Sequence, residues 1–261
     1  MAMIDAGDGC LLNVSVDGRE RGPTLMLSNS LGCTLEMWEP QMAALTKEFR
    51  VIRYDRRCHG KSSVPPGPYS MERFGRDVLA ILDELDVDKT HWCGLSMGGM
   101  VGQWLGAHAP DCFDRFVLSN TACYYPDPTN WLNRIKAVKE GGMAAVADTV
   151  IAGWLTADFR EREPAITARM KGMLLASPVV GYLACCEALS TLDQRALLPT
   201  IRNPTLVIAG RHDPATPVAA GEFIRSQIPG ASMTILDAAH ISNVEQPQAF
   251  ADAVIGFLTQ R

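Results

Sequence analysis

The chain has 261 residues, enough for one large domain or for a domain carrying an insertion. Hydrophobic residues make up 47% and charged residues 20%, an ordinary globular balance, and a net charge of -5 gives no basic footprint for nucleic acid. No apolar run approaches the roughly 18 residues of a membrane helix, and no basic, apolar leader opens the chain, so no membrane partner is expected and the cytoplasm is the expected address.

In chain order, Leu11 to Val16 alternates like an edge strand, and Asp17-Gly18 is a hairpin turn signal. Thr24 to Ser28 is a short apolar strand that runs into the polar loop Asn29-Ser30-Leu31-Gly32. Met37 to Phe49 reads as a helix, Val51 to Tyr54 as a strand, and Asp55 to Gly67 as a Gly/Pro-rich loop. From Tyr69 to Leu85 the apolar residues Phe74, Val78, Ile81, Leu82 and Leu85 keep helical spacing. A strand ending at Gly94 is followed by a helix that should stop near Pro110, and Arg115 to Leu118 is another buried strand. The rhythm then changes. From about Tyr124 to Leu198 the pattern is helical, broken at Gly141-Gly142, Pro164 and Pro178. Pro204 to Ala209 and Ser232 to Leu236 resume the strands, around a helix from Pro217 to Ile228, and a closing helix runs from Pro247 to Leu258.

Strands alternating with helices predict an α/β fold, a mostly parallel sheet covered on both faces, with ligands bound beyond the carboxyl ends of the strands. Residues 1–122 and 199–261 are expected to form this core, and 123–198 a helical cap over it.

The chemistry centres on Gly94-Leu95-Ser96-Met97-Gly98. A G-x-S-x-G segment between a strand and a helix is a nucleophile elbow, in which glycines let the serine Oγ stand clear of a strained turn. A serine needs a base, and the base an orienting carboxylate. Of five histidines, His91 starts a strand, His108 ends a helix and His59 lies in a loop suited to scaffolding. His212 is less well placed than His240, which follows the last strand, where a loop can hang it over Ser96. Asp213 directly follows the Pro204 to Ala209 strand; Asp237 is too close along the chain to His240, and Asp193 belongs to the insertion. The order Ser96, Asp213, His240 is that of the α/β-hydrolases. The oxyanion is expected to be met by the amides of Met97 and Ser30, each worth on the order of 3 kcal/mol of barrier.

Eight cysteines show no C-x-x-C spacing and read as free, mostly buried thiols, so no structural metal is expected. Nothing in the pattern sets an oligomeric state.

Three stretches go beyond the general hydrolase pattern: Ser28-Asn29-Ser30-Leu31-Gly32, Cys93 to Met100, and Ala239 to Pro247. Together they make the chain resemble, over almost its whole length, the 3-oxoadipate enol-lactone hydrolases of aromatic catabolism. Ser28-Asn29 stands where many α/β-hydrolases have His-Gly. One departure is Cys58-His59-Gly60, where relatives commonly read Gly-His-Gly, so a left-handed residue there would strain Cys58. The resemblance implies hydrolysis of a small anionic lactone with no cofactor, at a point where catechol and protocatechuate routes have converged. Its carboxylate calls for a guanidinium. Trp131 and Arg134 lie three apart on a cap helix and face one way, so they are the candidates to wall the pocket and grip it. The plain alternative is that both are ordinary lid residues; Arg21 and Arg56 are weaker candidates. Rival readings are a carboxylesterase or cofactor-free perhydrolase on another small ester, and a ligand-binding protein that keeps the fold without catalysis.

Overall fold

The computed structural model describes residues 1–260. Its sheet is built from β1 (Ala2–Asp5), β2 (Leu11–Gly18), β3 (Thr24–Ser28), β4 (Arg50–Tyr54), β5 (Thr90–Leu95), β6 (Phe113–Ser119), β7 (Thr205–Gly210) and β8 (Ser232–Leu236). They lie in the order β1-β2-β4-β3-β5-β6-β7-β8. β1 pairs antiparallel with β2 and β2 antiparallel with β4, while every other pairing is parallel. The central strands are covered on both faces, so β5 and β7 are buried along their whole length.

Helices α1 (Glu39–Glu48), α2 (Met71–Glu84) and α3 (Met97–His108) connect the first strands. In α2 the apolar positions at helical spacing, Phe74, Val78, Ile81 and Leu82, are buried, together with Met71, Gly75 and Asp77, and the Ser70 side chain caps the helix by accepting the Arg73 amide at 3.1 Å. Between β6 and β7 come five helices: α4 (Thr129–Gly141), α5 (Ala144–Trp154), α6 (Ala157–Arg162), α7 (Pro164–Leu175) and α8 (Val179–Ser190). Gly142 ends α4 at φ 66, and prolines stand at the start of α7 and just before α8. The chain closes with α9 (Val218–Gln227), the short α10 (Ser242–Glu245) and α11 (Pro247–Leu258). No single helix among the described residues is long and apolar enough to cross a membrane.

The N-terminal expectations need two corrections. Leu11 to Val16 does not lie on the sheet edge, because Ala2–Asp5 pairs along its outer side. Asp17-Gly18 does not close a hairpin, because β2 pairs with β4 rather than with β3. Gly18 is needed for another reason. It has φ +89, and a Cβ there would lie 2.4 Å from the Phe49 carbonyl oxygen, where the chains cross at close range.

Candidate active site

The elbow is set by backbone contact at the carboxyl ends of the central strands. Ser96 takes φ 58 and ψ -116, a strained conformation for a residue with a side chain. Its amide donates to the Ser119 carbonyl at 2.8 Å, and its carbonyl accepts the Thr121 hydroxyl at 2.7 Å, which ties the turn to the end of β6. A Cβ on Gly94 would lie 2.2 Å from the Gly98 carbonyl oxygen, and one on Gly98 would lie 2.2 Å from the Ser28 carbonyl oxygen. Both glycines of the motif are therefore required by the approach of α3 to β5 and β3.

Asp213 and His240 arrive from the loops after β7 and β8. His240 Nδ1 is 2.8 Å from Asp213 Oδ2, and both residues are buried. That oxygen also accepts the Thr216 hydroxyl at 2.6 Å and the Asn120 amide at 3.1 Å, while Oδ1 accepts the Ala215 and Thr216 amides at 2.8 and 3.0 Å. Burial pushes the Asp213 carboxyl up, but the charge and hydrogen bond of His240 and the Thr216 bonds outweigh it and hold the group below the usual carboxylate range. With Nδ1 committed to Asp213, the other ring nitrogen of His240 is left for a proton exchanged in the cavity.

Ser96 and His240 line one cavity of about 510 Å³, roofed by Trp131, Arg134, Trp154 and Tyr182 of the cap helices. Arg134 is the one lysine or arginine among its described lining residues. The guanidinium lies 4.9 Å from the Trp131 ring centre, and Tyr182 lines the same cavity. Tyr125 stands edge-on to Trp131 at 5.4 Å between centroids, completing an aromatic wall.

For the second oxyanion donor the loop after β3 offers two neighbouring amides. Ser30 lines the cavity, and its amide donates to the Met37 sulfur, 3.4 Å away. Leu31 also lines the cavity with Ser96, and its amide has no acceptor among the described residues; neither has that of Met97. Which of these two adjacent amides faces the serine depends on a loop turn that no side chain signals.

The remaining candidates fall elsewhere. His91 packs edge-on against Phe49, His108 stacks on Trp104, and His212 pairs with Asp237 at an exposed position. Asp193 pairs with Arg195, Arg21 is exposed, and the buried Arg56 donates to the Asn29 carbonyl. Cys58 takes φ 64, so it holds the left-handed conformation in which a side chain is strained. Ligand-type atoms of Cys58, His59 and Cys185 lie within 4.8 Å of one another. His59 Nε2, however, accepts the Gly32 amide, and burial pushes the imidazole toward its neutral form. The proton therefore sits on Nδ1, the nitrogen facing Cys58, and the donor set does not suit a metal. Asn120, Thr216 and Glu245 were not found from sequence. Asn120 sits just past the end of β6, where ligand-facing residues of such sheets gather, and at φ 44 it adopts a conformation that asparagine tolerates better than most residues.

The chain matches the alpha/beta hydrolase fold family over residues 23–247. It is 43% identical over 243 residues to 3-oxoadipate enol-lactonase 2 of Acinetobacter baylyi, covering 93% of this chain and 91% of that one. To enol-lactonase 1 of the same organism it is 37% identical over 256 residues, covering 98% and 96%. The crystal structure of the enol-lactonase from Burkholderia xenovorans superposes with a TM-score of 0.96 at 43% identity, covering 98% of this chain and 100% of that one.

Proposed function

Because this chain belongs to the α/β-hydrolases and, within them, to the 3-oxoadipate enol-lactonases, its reaction is hydrolysis of 3-oxoadipate enol-lactone; we propose that Ser96, His240 and Asp213 carry it. Ser96 Oγ attacks the lactone carbonyl as His240 takes its proton, and Asp213 holds the imidazole and stabilises the imidazolium. The amides of Met97 and Leu31 receive the oxyanion. Collapse breaks the ring C–O bond, and the departing enol oxygen takes the proton from His240. The leaving group stays tethered to the acyl chain, so it remains close enough to close the ring again. Tautomerisation to the ketone removes that nucleophile and makes ring opening one-way. Water deprotonated by His240 then releases 3-oxoadipate. The acetate arm carries the substrate's one negative charge, and Arg134, braced by Trp131, holds it.

The observation that carries this assignment of roles is the shared cavity: a strained serine, an imidazole held by a carboxylate and a single guanidinium all border it. Eight free thiols, seven of them buried, support the cytoplasm as its address. The test is steady-state turnover of the lactone by the protein and by Ser96→Ala, beside a neutral ester of similar size. Lactone turnover that disappears in the variant, with the neutral ester far behind, is the expected result. Brisk ester hydrolysis with weak lactone turnover would contradict the anionic substrate.

A further inference from the structure

The backbone that carries His240 is gripped at the preceding residue from two sides. The Ala239 amide donates to Glu245 Oε2, and the Ala239 carbonyl accepts the Asn120 side-chain amide at 3.1 Å. Neither gripping side chain has room to turn away. Asn120 is 1% exposed and saturated: its Nδ2 also donates to Asp213, and its Oδ1 accepts the hydroxyls of Ser119 at 2.9 Å and Ser242 at 2.6 Å. Glu245 is 7% exposed, and its Oε1 accepts both the amide and the hydroxyl of Thr156, at 2.8 and 2.6 Å.

These partners dictate the chemistry of each position. Three donors converge on the Glu245 carboxylate, so an amide of the same shape would turn its NH₂ toward a donor. Asn120 needs two N–H groups on one atom. An aspartate there would lose both and set a second negative charge against Asp213. Thr156 belongs to the cap, where it caps α6, and Trp154 two residues earlier accepts the Ile241 amide at 2.9 Å. One carboxylate therefore joins the loop of the base to the cap wall of the cavity.

We propose that Asn120 and Glu245 are positioning residues of the reaction, fixing the Ala239 peptide groups so that the His240 imidazole stays aligned between Asp213 and Ser96. The inference rests on the assignment of His240 as the base, and not on the identity of the substrate. Misplacing a catalytic group by about 1 Å costs up to about 100-fold in rate.

The experiment is kcat and KM against pH for the lactone and for a neutral ester, in the parent, Glu245→Gln, Asn120→Asp and Asn120→Gly, beside thermal midpoints. Glycine keeps the left-handed backbone of Asn120 and removes its side-chain bonds to Ala239, Asp213, Ser119 and Ser242 together, without adding a charge. Glu245→Gln and Asn120→Gly are expected to lower kcat on both esters by about 10–100-fold at little change in KM. In Asn120→Asp the added carboxylate favours the imidazolium, so the acid limb of kcat/KM should move to higher pH by about one unit. If Glu245→Gln does not fold, the two Asn120 variants decide. Unchanged kcat and pH profile with a lower thermal midpoint would reduce both residues to folding contacts, and a rise in lactone KM alone would confine them to the cap. Either overturns the proposal. A parent that hydrolyses only the neutral ester would refute the lactone assignment while leaving this test intact.

Discussion

On the sheet wall of the cavity every contact that orients Asp213 is a hydrogen bond from a buried or backbone donor, five in all. On the cap wall Arg134 rests against one aromatic ring, with side chains from several helices lining the space around it. The first wall is a polar network in which each partner fixes the next, and its geometry tolerates few substitutions. The second mixes aromatic side chains with Arg134, Asp127 and a few polar groups, and on the roles proposed above it selects the ester. Chemistry and selectivity are thus separable, and changes on the two walls should have different kinetic signatures.

The largest effect is expected from Asp213→Asn. All five partners of that side chain are donors, so an amide must face one of them and free the imidazole from its orientation. A fall in kcat of about 10⁴-fold is expected on lactone and neutral ester alike. A loss restricted to the lactone would mean that the sheet wall also selects. Arg134→Gln comes next and should act the other way. Loss of a charge-assisted bond raises KM for the lactone by about 10–100-fold, while the neutral ester keeps its kcat. Equal losses on both esters would erase the division between the walls.

Smaller again is Gly98→Ala, which asks how tightly the elbow helix is seated. The new methyl would stand 2.2 Å from the Ser28 carbonyl, and overpacking of this kind costs about 1–3 kcal/mol, readable as a lower thermal midpoint. The smallest effect is on stability in acid. The folded Asp213 carboxyl lies below its unfolded value of 3.8, so its contribution is fully present above that pH and is lost as pH falls through the folded value. Each unit of depression is worth about 1.4 kcal/mol. Acid unfolding followed by circular dichroism should show a shallower pH dependence in Asp213→Asn than in the parent.

What was legible in the sequence follows the same division. The sheet wall was readable because its backbone demands particular residues: two glycines around Ser96 where helix and strands touch, and an acid and a base directly after consecutive strands. The boundaries of β8 and α11 were read to the residue, and Pro247 opens that helix. The first strand was missed because Ala2–Asp5 is short and three of its four residues are exposed, leaving no apolar alternation to see. Asp17-Gly18 misled because the glycine answers to Phe49, a neighbour distant in sequence. The choice between the Ser30 and Leu31 amides was not legible, because the direction of an amide is a property of the folded loop. Asn120 and Glu245 looked like ordinary polar residues, and their meaning comes from partners that only the fold brings together. On the cap side, Trp131 and Arg134 were found from helical spacing, while Tyr182, about fifty positions further on, had no local signal to join them.

The most direct test of two walls with separate duties compares kcat/KM for 3-oxoadipate enol-lactone with that for the same lactone methylated on its acetate arm, in the parent and in Arg134→Gln. The account predicts a preference for the anion of about 10–100-fold in the parent that collapses in the variant, with kcat on the methylated lactone nearly unchanged. Equal rates on both lactones in the parent, or a preference that survives loss of Arg134, would contradict it.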